Sequence, residues 1–317
     1  MPTGAPLHAA LPAFEARLAA TVASDVAFIE ALGEDLVAAG GKRLRPTIAF
    51  HAADLVGADP ETAMRVALAV ELLHSASLLH DDLIDDASMR RGSEAAFRRY
   101  GNVVSVMSGD FLLARVLSLL ADAGDAAFTR AMARTAARIC EGEVLQFQMA
   151  SLESWSLAEY DAIIDGKTAV LLATAAEGPA LLSGAPEPQR AALRTFGTAY
   201  GRAFQMRDDV LDLLGEPDAL GKPVGGDLRE GKATLPVLLL MERGVQAAVE
   251  IVRRQASEPD DVARMRELVR AHGVDDAARH AIDAEVDAAV RALEPFPDGS
   301  AKRMLTGLAR QEAERVR

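Results

Sequence analysis

Two aspartate-rich pentads, each inside an otherwise apolar segment, constrain this chain more than any other feature. Both have the pattern Asp-Asp-x-x-Asp, and they begin at Asp81 and Asp208. Residues four apart share one face of a helix, so each pentad places two negative charges side by side, which alone is destabilising. A cation must therefore offset these charges. The six carboxylates are Asp81, Asp82, Asp85, Asp208, Asp209 and Asp212.

The pentads favour Mg²⁺ as that cation. Mg²⁺ prefers hard oxygen ligands, keeps several waters, and typically binds through one or two carboxylates together with substrate phosphates. The sequence therefore predicts a diphosphate group that is held with Mg²⁺ between two helices.

Composition predicts a large helical core and excludes some function classes. Half of the 317 residues are hydrophobic but only 4% are aromatic, which favours helices packed through small and aliphatic side chains. The net charge is −13 and the basic residues are concentrated in short motifs, so nucleic acid is not an expected partner. The single cysteine, Cys140, excludes an internal disulfide and fits a reducing cytosol, and we expect it to be buried.

Helical periodicity recurs along nearly the whole chain, whereas strand-like alternation is scarce, so the fold class is all-α. Gly and Pro residues mark the expected helix ends. The predicted helices cover about residues 9–38, 43–56, 60–85, 102–121, 125–150, 157–183, 187–214, 232–241, 244–256, 259–273, 276–294 and 298–316.

The sequence predicts a soluble, cytoplasmic protein without stable membrane insertion. Its first twenty residues lack the basic start and compact apolar core of a signal peptide. The longest apolar stretches, at 66–80 and 235–241, are too short to span a bilayer or are interrupted by polar residues such as Glu71 and His74.

Basic motifs accompany both pentads. A flexible pair, Gly40-Gly41, precedes an expected helix start. Lys42 and Arg45 lie three apart on one face there, and the two side chains suit a diphosphate. Further basic residues follow each pentad or lie within an apolar helix; they are Arg90, Arg91, Lys167, Lys222 and Lys232. Taken singly, each motif also fits an ordinary solvated helix end or surface charge, and Lys167 could extend from a helix flank to solvent. Glu71 and His74 likewise fit a satisfied core pair.

The joint occurrence of six segments, in order, removes that ambiguity. They are GGKRLRP, LLHDDLIDDASMRRG, EGEVLQ, GKT, FQMRDDVLD and GKPVGGDLREGKATLP. Together they resemble the trans-isoprenyl diphosphate synthase family, also called polyprenyl synthetases, over about residues 40–241. The resemblance implies a single all-α domain over residues 1–317, with a central elongation cavity, both pentads facing across its mouth, and usually a homodimer.

The resemblance also implies a reaction and a role for each motif. The allylic diphosphate loses its diphosphate group and becomes a carbocation, which the double bond of isopentenyl diphosphate attacks. The departed diphosphate then accepts the proton that the product loses. Mg²⁺ ions held by Asp81, Asp85 and Asp208, with the other pentad carboxylates nearby, would stabilise the leaving charge. Arg90, Lys167 and Lys232 would assist there. The remaining substrate contacts implied are Lys42, Arg45, His74 and Arg91 for isopentenyl diphosphate, Thr168 and Gln205 on the allylic side, and Lys222.

Product length depends on the helix that leads into the first pentad. Ser77 and Ala76 lie four and five residues before Asp81, roughly 6 to 8 Å deeper at 1.5 Å per residue. Short-chain members of the family commonly have an aromatic residue there, so this small pair favours a long octaprenyl to decaprenyl product for quinone side chains. Candidates for the floor of the cavity, each with core packing as the simpler role, are Leu72, Leu73, Met107, Phe111, Met132 and Phe147.

Three alternatives remain open. A geranylgeranyl or farnesyl diphosphate synthase would carry the same motifs and differ only in cavity depth. A class I terpene cyclase would share one pentad, but its second motif usually mixes Asn, Ser or Thr with Glu. A non-catalytic subunit of a heteromeric synthase would tend to lose some of these charged residues. Arg43 and Asp86, which lie between or beside the motif residues, are expected to be solvated or to support their neighbours.

Overall fold

The structure, a computed structural model, describes residues 7–38, 40–84, 89–90, 93–216 and 224–314, and the chain divides into two compact units. The first unit contains the residues up to Ala136, with Thr174–Arg194 and Phe296–Lys302. The second contains Ala137–Ala173, Thr195–Pro295 and the residues from Arg303 onward.

Helices dominate the described residues, which confirms the all-α prediction. In chain order they are α1 (Leu7–Val22), α2 (Ala27–Ala38), α3 (Leu44–Val56), α4 (Pro60–Ile84), α5 (Ala96–Tyr100), α6 (Asn102–Ala123), α7 (Ala126–Ser151), α8 (Leu157–Ile164), α9 (Val170–Leu182), α10 (Glu187–Leu214), α11 (Gly226–Arg229), α12 (Leu235–Glu242), α13 (Gln246–Arg253), α14 (Asp261–Ala271), α15 (Val274–Ala292) and α16 (Ser300–Glu314). A π-helical turn, Asp165–Ala169, joins α8 to α9. Two short antiparallel strands, β1 (Met89–Arg90) and β2 (Ser93–Glu94), complete the described secondary structure.

Helix α4 forms the centre of the first unit and packs against α3 and α6. Asp59 caps its start, because the Asp59 carboxylate accepts the backbone N–H of Thr62 at 2.9 Å. Pro60 then occupies the first helical position, where its missing N–H costs nothing. A long run of α4 side chains is buried, including Val66, Leu68 and Leu72, so this helix carries its terminal aspartates on a rigid support.

Helix α12 has the corresponding central position in the second unit. It packs against α8, α13, α14 and α15, and its side chains at Leu235, Val237 and Leu238 are buried.

Helix α10 makes a close backbone contact with α9 at Gly197. A Cβ atom added at Gly197 would lie 2.5 Å from the Ala173 Cα, so only glycine permits this backbone contact.

Most predicted helix boundaries agree with the structure, and α10 spans the predicted residues 187–214. The single helix predicted over 9–38 is wrong, because the chain breaks between Val22 and Ala27. There the Ser24 hydroxyl accepts the N–H of Val26, and the Glu30 carboxylate accepts the N–H of Ser24 at 2.6 Å. These side-chain caps replace the helical hydrogen bonds.

Within the part of the chain that the structure describes, two helices, α4 and α6, are long and apolar enough to cross a membrane by length and composition alone. Two thirds of the apolar window of α4 is buried in protein, which is typical of a core helix. One third of the α6 window is buried, so much of that helix surface is exposed and apolar. The absence of membrane insertion therefore stays a prediction.

Candidate active site

The first pentad lies at the C-terminal end of α4. Asp82 is 4% exposed and Asp81 is partly exposed, both in the last turn of the helix. The negative pole of the helix dipole lies at this end, so two carboxylates are electrostatically unfavourable there until a cation binds. Asp85, Asp86 and Arg91 lie outside the described residues, and of Arg90 only the backbone, in β1, is described.

The glycine pair forms a left-handed loop before α3, in the same unit. Gly40 and Gly41 have φ values of 55° and 110°, and Arg43 has a φ of 44° although it carries a side chain. Lys42 is exposed and Arg45 is partly exposed. The reversal at Arg43 turns its side chain in a different direction from those of Lys42 and Arg45.

Arg43 is buried, which excludes a solvated position and leaves the second of the two expected roles, support of its neighbours. Its guanidinium donates to both carboxylate oxygens of Glu15, at 2.6 and 2.9 Å, and to Glu71 at 2.8 Å. Glu71 is therefore paired with Arg43. The buried charges tie the loop to α1 and α4, which holds Lys42 and Arg45 in place.

His74 and the two chain-length candidates, Ala76 and Ser77, lie on α4. His74 is partly exposed, Ala76 is 1% exposed, and the Ser77 hydroxyl donates to the His74 carbonyl at 2.9 Å. Among the candidates for a cavity floor, Leu72, Leu73 and Met132 are buried, and Phe111 is partly exposed. Met107 and Phe147 are 55% and 73% exposed, so ordinary core packing is wrong for both.

The second pentad occupies the last two turns of α10, where its aspartates have different environments. Asp209 is buried and accepts hydrogen bonds from the Tyr160 hydroxyl at 2.7 Å and the Gln205 amide at 2.8 Å. Burial, followed by repulsion from the nearby Asp227 carboxylate, raises the pKa of Asp209 to about 8. Burial, followed by the Asp209 charge, also raises the pKa of Tyr160 well above its ordinary value.

Asp212 is buried and hydrogen-bonded to the backbone, whereas the Asp208 side chain is partly exposed. The buried Asp212 carboxylate accepts the backbone N–H of Asp227 at 3.1 Å, and its carbonyl accepts the N–H of Gly225 at 2.7 Å. Asp208 is 44% exposed and accepts hydrogen bonds from Arg207. Asp208 is therefore the carboxylate of this pentad best placed to meet a ligand, and its metal role stays a prediction.

A cavity of about 160 Å³ lies beside this pentad in the second unit. Two lysines, Lys167 and Lys232, contribute to its wall together with the carboxylates of Asp209 and Asp227. The other lining residues are Gln146, Met149, Tyr160, Ile163, Ile164, Thr168, Gln205, Ala233 and Thr234. Positive charge, hydrogen-bond donors and an apolar wall are thus combined in one cavity, which suits an apolar molecule with an anionic head.

The π-helical turn presents Lys167 and Thr168 to this cavity. The Lys167 ammonium contacts Glu143 at 2.7 Å and donates to Gln146 at 2.5 Å. The Thr168 hydroxyl donates to the Gln205 side chain at 2.8 Å. A π turn inside a helix frequently marks a functional site, because it displaces the side chains of one turn.

Close packing and an ion pair hold the π turn. The Arg202 guanidinium donates to both oxygens of Asp165, at 2.6 and 2.5 Å. Gly142 of α7 and Gly166 also approach closely, since a Cβ atom added at Gly142 would lie 2.9 Å from the Lys167 backbone nitrogen. The position of Lys167 is therefore set by backbone contacts.

These residues fit Mg²⁺ through their chemistry. Among the described residues no group of three His, Cys, Asp or Glu side chains converges to form a complete metal site. Mg²⁺ does not need such a group, because one or two carboxylates, substrate phosphates and waters complete its octahedral shell. Carboxylates at the negative ends of α4 and α10 supply the hard oxygen donors and the excess of negative charge.

Sequence reasoning missed several residues of the cavity. Tyr160, Gln146 and Asp227 line it without having been assigned a role, although Gln146 and Asp227 belong to motifs recognised in the sequence. Tyr160 lies seven residues before Lys167, a spacing of two helical turns that places both on similar faces. Lys222 lies outside the described residues.

The fold and site define an all-α class of protein suited to diphosphate esters with an apolar tail. A model of the polyprenyl synthetase family matches residues 26–271. Octaprenyl diphosphate synthase of Escherichia coli (strain K12) is 35% identical over 297 residues, which cover 93% of this chain and 92% of that protein. The chain belongs to the polyprenyl synthetase family and is a prenyltransferase.

Solved structures agree with this assignment. A polyprenyl synthase from Caulobacter crescentus CB15, complexed with calcium and isoprenyl diphosphate, has a TM-score of 0.90 at 39% identity, with 96% of this chain and 94% of that chain covered. A decaprenyl diphosphate synthase from Rhodobacter capsulatus has a TM-score of 0.91 at 36% identity, with 98% and 97% covered. The resemblance inferred from the six motifs is confirmed, as is the isoprenoid-synthase fold.

Proposed function

We propose that this enzyme condenses isopentenyl diphosphate with an allylic diphosphate and repeats the step to make a long trans-polyprenyl diphosphate. The observation that carries the proposal is the cavity of the second unit, where Lys167 and Lys232 flank buried carboxylates beside an apolar wall. The similarity to octaprenyl and decaprenyl diphosphate synthases supports a long product. Such a product fits the side chain of a quinone.

The second unit would bind the allylic substrate. Lys167 and Lys232 donate to oxygens of its diphosphate, and Lys167 shifts part of its bonding from Glu143 to the substrate. Thr168 and Gln205 hold each other at 2.8 Å, so the wall next to the reacting carbon is fixed before substrate enters. Met149 and Ile163 provide apolar surface for the prenyl chain.

The first unit would bind isopentenyl diphosphate. Lys42 and Arg45 supply positive charge from the loop that Arg43 anchors, and His74 lies on α4 beside the Ala76 and Ser77 positions. Reaction breaks the allylic C–O bond, whose electrons leave with the diphosphate. The double bond of isopentenyl diphosphate then forms the new C–C bond, and the departed diphosphate takes up the proton, so no protein base is required.

Mg²⁺ is the proposed cofactor. Asp81, Asp85 and Asp208 would hold it, while Asp209 and Asp212 support the site through the inward hydrogen bonds described above. When bound, Mg²⁺ neutralises charge on the leaving diphosphate. The calcium found with isoprenyl diphosphate in the Caulobacter crescentus structure supports a divalent cation.

A homodimer is the proposed assembly, and the cytoplasm the proposed location. Large apolar side chains project from α6 at Val103, Met107 and Leu117, which are 77%, 55% and 66% exposed. Residues 103 and 117 are two heptads apart, so they share one face of the helix. Exposed apolar faces of this kind are typical of protein interfaces, and a second copy of this chain is the partner we propose.

The decisive experiment combines purified protein, Mg²⁺, labelled isopentenyl diphosphate and farnesyl diphosphate, with products resolved by chain length after the phosphates are removed. A product of eight to ten five-carbon units is expected. A product of three or four units would instead identify a farnesyl or geranylgeranyl synthase. A cyclic product from the allylic substrate alone would favour a terpene cyclase, and no incorporation would favour a non-catalytic subunit.

A further inference from the structure

A buried group of charges joins the C-terminal helix to the second pentad. Arg207 of α10 is 2% exposed and donates to the carboxylate of Glu312 in α16, which is 4% exposed. The two residues are 105 positions apart in the sequence. The same guanidinium also donates to Asp208, with 3.1 Å between Arg207 Nε and Asp208 Oδ1. One buried cation is therefore shared by two carboxylates.

The surroundings of this group restrict how Arg207 can move. Its guanidinium lies over the Phe204 ring, with 4.5 Å between the central carbon and the ring centroid. On the far side, the Tyr200 hydroxyl donates to the second oxygen of Glu312 at 3.1 Å. Tyr200 is itself stacked on Phe196 at 5.9 Å between ring centroids. Arg207 and Glu312 thus lie in a packed environment in which rearrangement is costly.

The balance of charge determines what Asp208 can do. A buried guanidinium needs a counter-ion, because an unpaired charge away from water is strongly unfavourable. Glu312 supplies that counter-ion inside the protein. Without it, Asp208 would be the only carboxylate left to pair with Arg207 among the described residues, and this ion pair would compete with any cation that approaches from outside. With it, Asp208 is oriented by a hydrogen bond and keeps its negative charge available on its exposed side.

We propose that Glu312 is a positioning residue for the metal-binding carboxylate of Asp208, and that it acts by neutralising Arg207. On this view α16 contributes to the metal site through Arg207 and Asp208. The inference rests on the proposed role of Asp208 in binding Mg²⁺, and it deepens the proposed function.

The test measures Mn²⁺ binding by electron paramagnetic resonance in the presence of inorganic diphosphate, so no turnover is required. An Asp81→Asn background limits the signal from the first pentad. Glu312→Gln should weaken Mn²⁺ binding by about tenfold or more, as is typical when a group that supports a ligand is changed. In turnover assays, Glu312→Gln in the otherwise wild-type protein should need a higher Mg²⁺ concentration for half-maximal activity. Its KM for isopentenyl diphosphate should stay unchanged.

A rescue distinguishes this electrostatic role from a structural one. The double variant Arg207→Gln/Glu312→Gln removes both charges and should bind Mn²⁺ more tightly than Glu312→Gln alone. Tyr200→Phe keeps the Glu312 charge and should have a smaller effect. Thermal unfolding in EDTA reports any loss of folding, and Glu312→Met, which is also uncharged and similar in size, replaces Glu312→Gln if the latter does not fold.

Two results would overturn the proposal: unchanged Mn²⁺ affinity in the Glu312 variant, or a double variant no tighter than the single one. Neither depends on prenyl transfer, because the probes are Mn²⁺ and inorganic diphosphate. If the wild-type protein binds them and the rescue succeeds but no prenyl product forms, the proposed function fails while the role of Glu312 stands.

Discussion

At the scale of single residues, the hydrogen bond from Tyr160 to Asp209 is the contact most directly tied to the cavity. Tyr160→Phe leaves the ring and removes the donor from a buried carboxylate. We expect the kcat/KM for the allylic substrate to fall by about tenfold, since leaving a buried hydrogen-bonding group without its partner costs roughly 1–3 kcal/mol. The KM for isopentenyl diphosphate should not change.

Tyr100 offers a matched control for this variant. Its hydroxyl also donates to an aspartate at 2.7 Å, Asp35, but at the protein surface. Tyr100→Phe should therefore leave both kinetic constants near their wild-type values. Equal losses in the two variants would show that the Tyr160 bond has no special role in the site.

His51 provides a pH-dependent prediction outside the site. It is 6% exposed, neither ring nitrogen has a hydrogen-bond partner in the described part of the chain, and burial lowers its pKa below 6.5. The folded protein therefore binds fewer protons than the unfolded chain below pH about 6.5, so the free energy of unfolding falls as the pH decreases. His51→Leu should reduce the decrease in the free energy of unfolding as the pH falls, measured by denaturant titrations between pH 5 and 8. The same pH dependence in the variant and the wild-type protein would contradict this prediction.

Ala76 tests the long-chain assignment. A phenylalanine at this position would place an aromatic ring one turn below Asp81, where Ala76 is 1% exposed. We expect Ala76→Phe to shorten the product to about three or four units in the chain-length assay. Ser77→Thr, a smaller change on the adjacent position, is the control. An unchanged product spectrum would mean that this part of α4 does not line the elongation cavity that the family resemblance implies.

Residue types and spacing indicate candidate side chains for the chemistry, but not the directions in which these side chains point. Arg43 was expected either to be solvated or to support its neighbours, and nothing in the residue type indicates the positive φ that turns it inward. Cys140 was expected to be buried and is exposed. Glu312 was not recognised because its partner, Arg207, is 105 residues away and the pairing exists only in the folded chain.

At the scale of elements, glycines determine how closely helices approach. Gly197 faces the backbone of α9, and a Cβ atom there would lie 2.5 Å from both the Ala173 Cα and the Leu172 carbonyl oxygen. Gly197→Ala should lower the free energy of unfolding by about 1–3 kcal/mol, because backbone atoms cannot move aside as a flexible side chain can.

A glycine with open surroundings provides the opposite control. Gly307, within α16, has no atom within 4 Å of an added Cβ. Gly307→Ala should raise the free energy of unfolding by about 0.5–1 kcal/mol, since alanine loses less backbone entropy in a helix. Urea titrations of both variants test the pair. A stable Gly197→Ala protein would mean that α9 and α10 can separate without cost.

Periodicity predicted the helices well where the apolar pattern is continuous, as in α4 and α10. It failed between α1 and α2, where Ser24 and Glu30 cap helix ends without any glycine or proline to mark the break. It also could not reveal the π turn, because Asp165–Ala169 remains helical and differs only in which carbonyl each N–H reaches.

At the scale of the whole molecule, the exposed face of α6 predicts an assembly. Leu117→Glu should weaken the proposed homodimer by at least about tenfold, because a charge would be buried without a partner and a two-fold interface contains each substitution twice. Analytical ultracentrifugation over a range of concentrations measures the change. Ala263→Glu, on the exposed surface of α14, is the control and should leave the dimer unchanged.

A monomeric wild-type protein at all concentrations would contradict the homodimer. The family and its reaction class follow from six short motifs in the sequence, but an interface does not. Val103, Met107 and Leu117 have the same apolar spacing as a buried helix, and only the fold shows that they are exposed. The single-domain organisation stays a prediction, since the chain divides into two compact units.

The π turn at Asp165–Ala169 has a consequence for how this chain is compared with others. A π turn holds one residue more than an α turn, so the helix carries what amounts to a one-residue insertion. Each residue advances an α-helix by about 100°, and the apolar pattern after Ala169 is therefore offset from the pattern before Asp165. An alignment with a relative that lacks the turn needs a gap inside a helix, next to Lys167.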